Sequence, residues 1–240
     1  VTGLPGLLML SSQVDREEPL YVYGPNKLGE YIDANRRILD MYINYEIKFI
    51  PVSDGEIYKG DGFSINAYAL DHTKPCYGYS LVEEDRKGEF FPEKALSLGV
   101  EKGPMFGKLQ RGEEIVLSDG RVIKSEDVMG EKRSGRKFSY ITDTLYFKEI
   151  SDFVHDSDIL FCEGMFEKEL EETAKEKKHM TCTDAATIAR DGNCKMLCLQ
   201  HYSPRYQDKE LKKLLVEASE IFPNTILTKD RMSFNIPLKD

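Results

Sequence analysis

From residue 138 onward the chain alternates short apolar runs with longer amphipathic ones, and that rhythm restricts it to a layered α/β fold. Residues 138–142 predict a strand, 146–154 a helix, 158–162 a strand and 166–177 a charged helix. A helix over 183–190 carries Asp184 in its first turn. A strand over 195–200, a helix over 208–221 and strands over 225–227 and 232–236 complete the series. The first half is richer in strands, at 20–23, 46–52, 56–58, 63–70 and 77–82. A short buried helix starts near Pro5, and apolar residues at helical spacing predict another over about 26–42. The whole, residues 1–240, reads as one domain of sheets with helices outside.

One stretch breaks the pattern. Residues 83–112 are charged and Gly-rich, with Pro92 and Pro104 and one short helical piece. They predict an arm inserted into the domain. A small hairpin follows, turned at Ser118-Asp119-Gly120.

Composition narrows the function classes. The formal net charge of −9 excludes a uniformly basic nucleic-acid coat but leaves room for local basic patches. Two such patches exist, Lys102, Lys108 and Arg111 in the arm, and Lys132, Arg133, Arg136 and Lys137 after it. No apolar run approaches the roughly 20 residues that cross a bilayer. The five cysteines are odd in number and form no Cys-x-x-Cys pair. They read as free thiols of a cytoplasmic protein.

The candidate chemistry sits at strand ends. His72 follows the run 63–70, Asp143 follows 138–142, and His201 follows 195–200. Residues at the carboxyl ends of neighbouring strands converge on one rim of a sheet. Imidazole nitrogen and carboxylate oxygen are ordinary zinc ligands, and two metals can clamp both oxygens of a phosphoryl displacement. Glu163 lies directly after the strand 158–162, and His179 lies between two helices. A Glu can hold an imidazole in one tautomer and make the pair a proton donor. His155 falls in a polar turn and reads as a solvated loop residue.

Six motifs in one order carry a resemblance. They are Gly3-Leu4-Pro5-Gly6-Leu7-Leu8, then His72 with Tyr77-Gly78-Tyr79, then Gly103-Pro104-Met105-Phe106-Gly107. Thr142-Asp143-Thr144, Cys162-Glu163-Gly164-Met165-Phe166 and His201-Tyr202-Ser203-Pro204-Arg205-Tyr206 follow. Together they resemble ribonuclease Z, the tRNA 3′-processing endonuclease family of the metallo-β-lactamase superfamily, over essentially the whole chain.

The resemblance implies an αββα sandwich with a protruding exosite arm, two Zn²⁺ ions, a homodimer, and hydrolytic removal of the 3′ trailer of precursor tRNA. His72, Asp143 and His201 then correspond to metal ligands, with Asp143 bridging. Glu163 and His179 correspond to the dyad that delivers a proton to the leaving 3′ oxygen. Lys102, Gly103, Pro104, Lys108 and Arg111 correspond to the part of the arm that grips RNA.

Three departures stand out. The family's His-x-His-x-Asp-His motif should end just before Val1, and the chain contains no other His-x-His. His72, Asp143 and His201 alone are too few to hold two zinc ions tightly. The expectation is a longer natural protein that supplies this motif and the opening strands. The alternatives are a second polypeptide that supplies them, or a relative that binds RNA without cutting it. Cys162-Glu163-Gly164 stands where the family usually has His-Glu-Ala, and Thr181 follows Met180 where Ser commonly follows the His directly. A metallo-β-lactamase-fold phosphodiesterase acting on small substrates shares the metal residues, but the Gly103-Pro104 arm argues against it.

Overall fold

A computed structural model describes residues 1–14 and 16–238. In chain order the elements are α1 (Leu4–Ser12), β1 (Leu20–Gly24), α2 (Asn26–Ile38), β2 (Ile47–Pro51), β3 (Gly55–Lys59), β4 (Phe63–Leu70) and β5 (Cys76–Glu83). Then come α3 (Pro92–Ser97), α4 (Pro104–Gln110), β6 (Ile115–Val116), β7 (Val122–Ile123) and α5 (Ser125–Val128). The chain closes with β8 (Lys137–Ile141), α6 (Glu149–Phe153), β9 (Ile159–Glu163), α7 (Glu171–Lys177), α8 (Cys182–Asp191), β10 (Leu197–Gln200), α9 (Asp208–Ile221) and β11 (Thr225–Leu227). Two compact units result, one of residues 1–82 and 137–234, the other of residues 83–136 and 235–240.

The first unit is built on a seven-stranded sheet in the order β11-β10-β9-β8-β5-β4-β3. From β8 to β11 the neighbours run parallel, with Ile141 beside Cys162 and Gln200 beside Glu163. β5 and β8 pair antiparallel. The parallel strands are near-continuous apolar runs, as strands covered by helices must be. Leu160, Cys162, Leu197 and Leu199 are fully buried under α8 and α9, which contribute Ala185, Ala186, Ile188, Ala189, Leu214 and Ala218. The alanines on α8 let backbones approach closely, and each buried large aliphatic contributes roughly 1.5–3 kcal/mol. β1 and β2 form a separate parallel pair, which packs with α1 and α2 around Leu8, Ile32 and Met41.

The residues 83–112 read from the sequence as an inserted arm fall within the second unit. The second unit takes in the hairpin and α5 as well. Its base is an antiparallel ribbon: Arg86 and Arg133 exchange backbone hydrogen bonds of 2.8 and 2.9 Å, and Gly130 N–H donates to Glu89 at 2.7 Å. A Cβ on Gly88 would collide with the Gly130 carbonyl, so the crossing requires glycine. Ala95, Val100, Leu109, Ile115, Ile123 and Val128 form a core of its own. No described helix is long and apolar enough to cross a membrane.

Three expected elements differ most. The charged helix expected over 166–177 begins only at Glu171, because Phe166 is held in a bridge with Thr181 and a 3₁₀ turn over Lys168–Leu170 intervenes. The helix expected over 146–154 is confined to Glu149–Phe153, because Tyr146 and Phe147 are drawn into the core ahead of it. Residues 232–236 form no strand. Their alternating apolar pattern instead seats Phe234 edge-on against Phe161, with ring centroids 5.6 Å apart.

Candidate metal and proton-transfer site

The parallel register of β8, β9 and β10 brings their carboxyl ends to one rim, and every candidate of the first unit lies there. Asp143 stands two residues beyond Ile141, Glu163 is the last residue of β9, and His201 is the first beyond β10. His72, two residues past β4, is tied to the same rim. Asp71 N–H donates to Thr144 Oγ1 at 3.1 Å, and Leu145 N–H to the Asp71 carbonyl at 2.8 Å.

His179 reaches the rim from outside the sheet. It follows Lys178, which ends α7 in the left-handed conformation with φ 55°. Two residues later Thr181 opens α8 with a capping box: its N–H donates to Asp184 Oδ2 at 2.9 Å, and its hydroxyl accepts from Asp184 N–H at 3.2 Å. His179 is thus held between a tight helix end and a capped helix start.

The five side chains form two linked groups. Glu163, fully buried, accepts from His179 Nδ1 with Oε2 at 3.0 Å and Oε1 at 3.2 Å. Its Oε1 also accepts from Thr144 N–H at 2.6 Å. Because a carboxylate accepts only, the His179 proton sits on Nδ1 whenever the ring is neutral. Asp143 lies between the other two histidines, with Oδ1 3.5 Å from His201 Nδ1 and Oδ2 3.8 Å from His72 Nε2. The rings of His72 and His179 are 4.9 Å apart, and those of His179 and His201 5.4 Å.

Electrostatics follow from this crowding. Burial works against ionisation of Asp143, but the Thr142 hydroxyl at 2.8 Å and the nearby His201 and His179 hold its carboxyl below the usual range. Glu163, then Asp143, raise His201 above the ordinary imidazole value. Since its Nδ1 is 3.8 Å from Glu163 Oε2, that effect is charge attraction rather than a formed hydrogen bond.

The donor set fits a divalent ion. His72 Nε2 and Asp143 Oδ2 are too far apart to hydrogen-bond, yet close to the roughly 3.4 Å that separates two ligands on one tetrahedral ion with bonds of about 2.0–2.1 Å. Two sets, His72 with Asp143 and His179, and Glu163 with His179 and His201, each bring ligand atoms within 4.8 Å of one another. His179 belongs to both, but its Nδ1 is engaged by Glu163. A cavity of about 310 Å³ opens beside His201, between Phe161, Tyr202, Thr228 and Phe234, and leaves room for a substrate group.

The arm candidates lie in the second unit. Gly103 has φ 151° and ψ −143°, a region only glycine occupies comfortably, and Pro104 then starts α4. Lys108 lies on that helix, and Arg111, just past it, pairs with Glu113 at 2.7 Å. The second basic cluster divides. Arg136 grips Glu83 and the Ile236 carbonyl, and Lys137 donates to the carbonyls of Phe153 and His155 at 2.8 Å. Lys132 and Arg133 line a cavity of about 950 Å³ within the second unit, which holds none of the five rim residues. His155 is exposed beside Asp156, as expected of a loop residue.

Sequence reasoning missed the residues that hold these side chains in place. Thr144, Asp71 and Lys178 act through backbone atoms or left-handed geometry, which residue type alone does not announce. Thr142-Asp143-Thr144 is visible as a motif, but not that its last N–H locks Glu163.

A mixed sheet helix-covered on one face, with histidines and carboxylates on one rim, defines the metallo-β-lactamase class of folds. Solved structures agree. Human tRNase Z, short form, matches over 99% of this chain and 74% of its own, with a TM-score of 0.62 at 21% identity. The metallo-β-lactamase fold protein YhfI from Bacillus subtilis matches over 92% and 67%, with a TM-score of 0.57 at 17% identity. No family model matches the chain. Curated relatives do: Ribonuclease Z of Treponema denticola is 56% identical over 241 residues, covering 100% of this chain and 78% of that protein. Ribonuclease Z of Treponema pallidum strain Nichols is 52% identical with the same coverage, and that of Acaryochloris marina 38%, covering 99% and 76%. The chain belongs to the ribonuclease Z family.

Proposed function

We propose that this protein is a zinc-dependent endoribonuclease that hydrolyses a phosphodiester to release the 3′ trailer of precursor tRNA, acting as a cytoplasmic homodimer. Membership of the ribonuclease Z family supports the reaction class. The observation that carries the mechanism is the buried Glu163 carboxylate, which holds His179 Nδ1 at 3.0 Å beside the His72, Asp143 and His201 cluster.

In this reading His72, Asp143 and His201 would hold metal, the Asp143 carboxylate lying between the two imidazoles. When bound, such ions supply Lewis acidity toward a phosphoryl oxygen and lower the pKa of water to about 7. The chain's own residues then manage charge and protons. Glu163 fixes His179 Nδ1–H, so Nε2 is the atom that carries a proton to the departing 3′ oxygen. Thr144 N–H, at 2.6 Å from Oε1, keeps the Glu163 carboxylate from turning away. Lys102, Gly103, Pro104, Lys108 and Arg111 supply RNA contact on the arm, where the glycine turn exposes backbone and the lysines meet phosphate.

The test is cleavage of a labelled precursor tRNA by the purified protein with zinc, set beside Asp143→Ala and His179→Ala. Asp143→Ala should lose both metal and cleavage, while His179→Ala should keep metal and lose rate. Full cleavage by Asp143→Ala would exclude the mechanism.

A further inference from the structure

We infer that Lys178 is a positioning residue that latches the metal-ligand loop to the proton-donor loop; the inference rests on the metal-site reading above. Asp71 and His72 are consecutive, and so are Lys178 and His179. The two pairs are joined twice. The His72 Nδ1–H donates to the Lys178 carbonyl at 2.9 Å, and the Lys178 ammonium meets Asp71 Oδ1 at 2.5 Å. The neighbouring rings, His72 and His179, lie 4.9 Å apart in consequence.

The first bond decides a tautomer. A carbonyl oxygen accepts and never donates, so His72 Nδ1 carries the hydrogen. The lone pair of the neutral ring is then on Nε2, the nitrogen that faces Asp143 Oδ2 at 3.8 Å. The outer partner of a metal-binding imidazole sets its tautomer and ring orientation in this way. Here that partner is a backbone atom, aimed by an uncommon conformation. Lys178 has φ 55° and ψ 53°, which side-chain-bearing residues adopt reluctantly. Turning it to a right-handed or extended conformation would redirect the carbonyl away from His72.

The Asp71 bond has a different weight. Both side chains are about half exposed, at 48% for Asp71 and 41% for Lys178, so the ion pair alone contributes little. Its role is to bias the left-handed turn that presents the carbonyl. The active conformation therefore depends on the backbone of Lys178 first and on its charge second.

Three variants separate these roles: Lys178→Gly, which favours the turn and removes the charge; Lys178→Val, whose β-branch opposes the turn; and Lys178→Asp combined with Asp71→Lys. Zinc affinity is measured by competition with a chromophoric chelator, and the His72 tautomer by ¹⁵N chemical shifts of the metal-free protein. Lys178→Gly should bind zinc within about threefold of the parent and retain Nδ1–H on His72. Lys178→Val should weaken zinc about 10–100-fold, the range seen when an outer partner is lost. It should lose the Nδ1–H signature and lower kcat with KM for precursor tRNA nearly unchanged. The charge-reversed pair should stay within about threefold of the parent values. Melting curves identify any variant that fails to fold, and Lys178→Ala then replaces Lys178→Val with a smaller shift in the same direction. Equal losses in the Gly and Val variants, or an Nε2–H tautomer in the parent, would overturn the latch. A parent that fails to cleave precursor tRNA, while zinc affinity and tautomer still follow the Gly–Val order, removes the proposed substrate and leaves the latch standing.

Discussion

Replacing Glu163 by Gln tests the proposed proton transfer at nearly constant shape. The Glu163 side chain is fully buried, so the amide must occupy the same volume. Thr144 N–H at 2.6 Å claims the amide oxygen at the Oε1 position, which leaves the NH₂ group at Oε2, facing His179 Nδ1 at 3.0 Å. Two donors cannot face each other, so the neutral ring shifts its hydrogen to Nε2 and the protonated ring loses its counter-charge. A hydrogen bond to a charged group is worth about 1.5–3 kcal/mol, and a placed general acid about 10²–10⁴ in rate, or roughly 2.7–5.4 kcal/mol of barrier. The cleavage step should slow by about 10²–10³, with tRNA affinity unchanged. The assay is single-turnover cleavage at saturating enzyme, so that binding does not set the rate. A second substrate carries sulfur in place of the bridging 3′ oxygen. A thiol, at about 8.5, ionises far more readily than an alcohol and leaves without a proton. The deficit of the variant should shrink to a few-fold on that substrate. An undiminished deficit on the sulfur substrate, or a loss below threefold on the oxygen one, would refute proton delivery by the pair.

Other outcomes follow from particular contacts. Asp143→Ala removes the carboxylate between His72 and His201 and should reduce bound metal, read by atomic absorption after dialysis, to below half of the parent. Thr181→Ala breaks the capping box of α8 and should cost about 0.5–2 kcal/mol in urea unfolding. Lys102→Ala with Lys108→Ala should weaken tRNA binding and lower the slope of log affinity against log salt by about one per lost phosphate contact. The Arg136 guanidinium hydrogen-bonds to Glu83 and holds its carboxyl below the usual range. A depressed carboxyl stabilises the fold above its unfolded value of about 4.3 and ceases to as pH falls through its folded value. Arg136→Ala should therefore cost under about 1 kcal/mol at pH 7, given the partial exposure of the pair, and progressively less on acidification below pH 4.

Legibility in the sequence tracked how local the determining physics is. The alternation after residue 138 returned β8, β9, β10, α8 and α9 nearly at their observed bounds, because each buries one side against the same layer. The rim followed from that: once three strands run parallel, residues just past Ile141, at Glu163 and just past Gln200 have nowhere to go but together. His179 was harder, since it belongs to no strand, and its place depends on two helix ends rather than on a period. Residues 232–236 misled because an alternating pattern records only which side chains are buried. Phe234 buries its ring against Phe161 without any ladder. The second unit extends beyond the stretch 83–112 whose composition breaks the pattern. The ribbon of 83–91 with 128–136 is written in pairing between distant segments, and charged residues such as Arg86 and Arg133 hide it. The same distinction separates what the site does from what holds it. Imidazoles and carboxylates announce themselves by type. The atoms that orient them are the Thr144 N–H and the Lys178 carbonyl, which every residue owns, so only the fold reveals that these two are aimed.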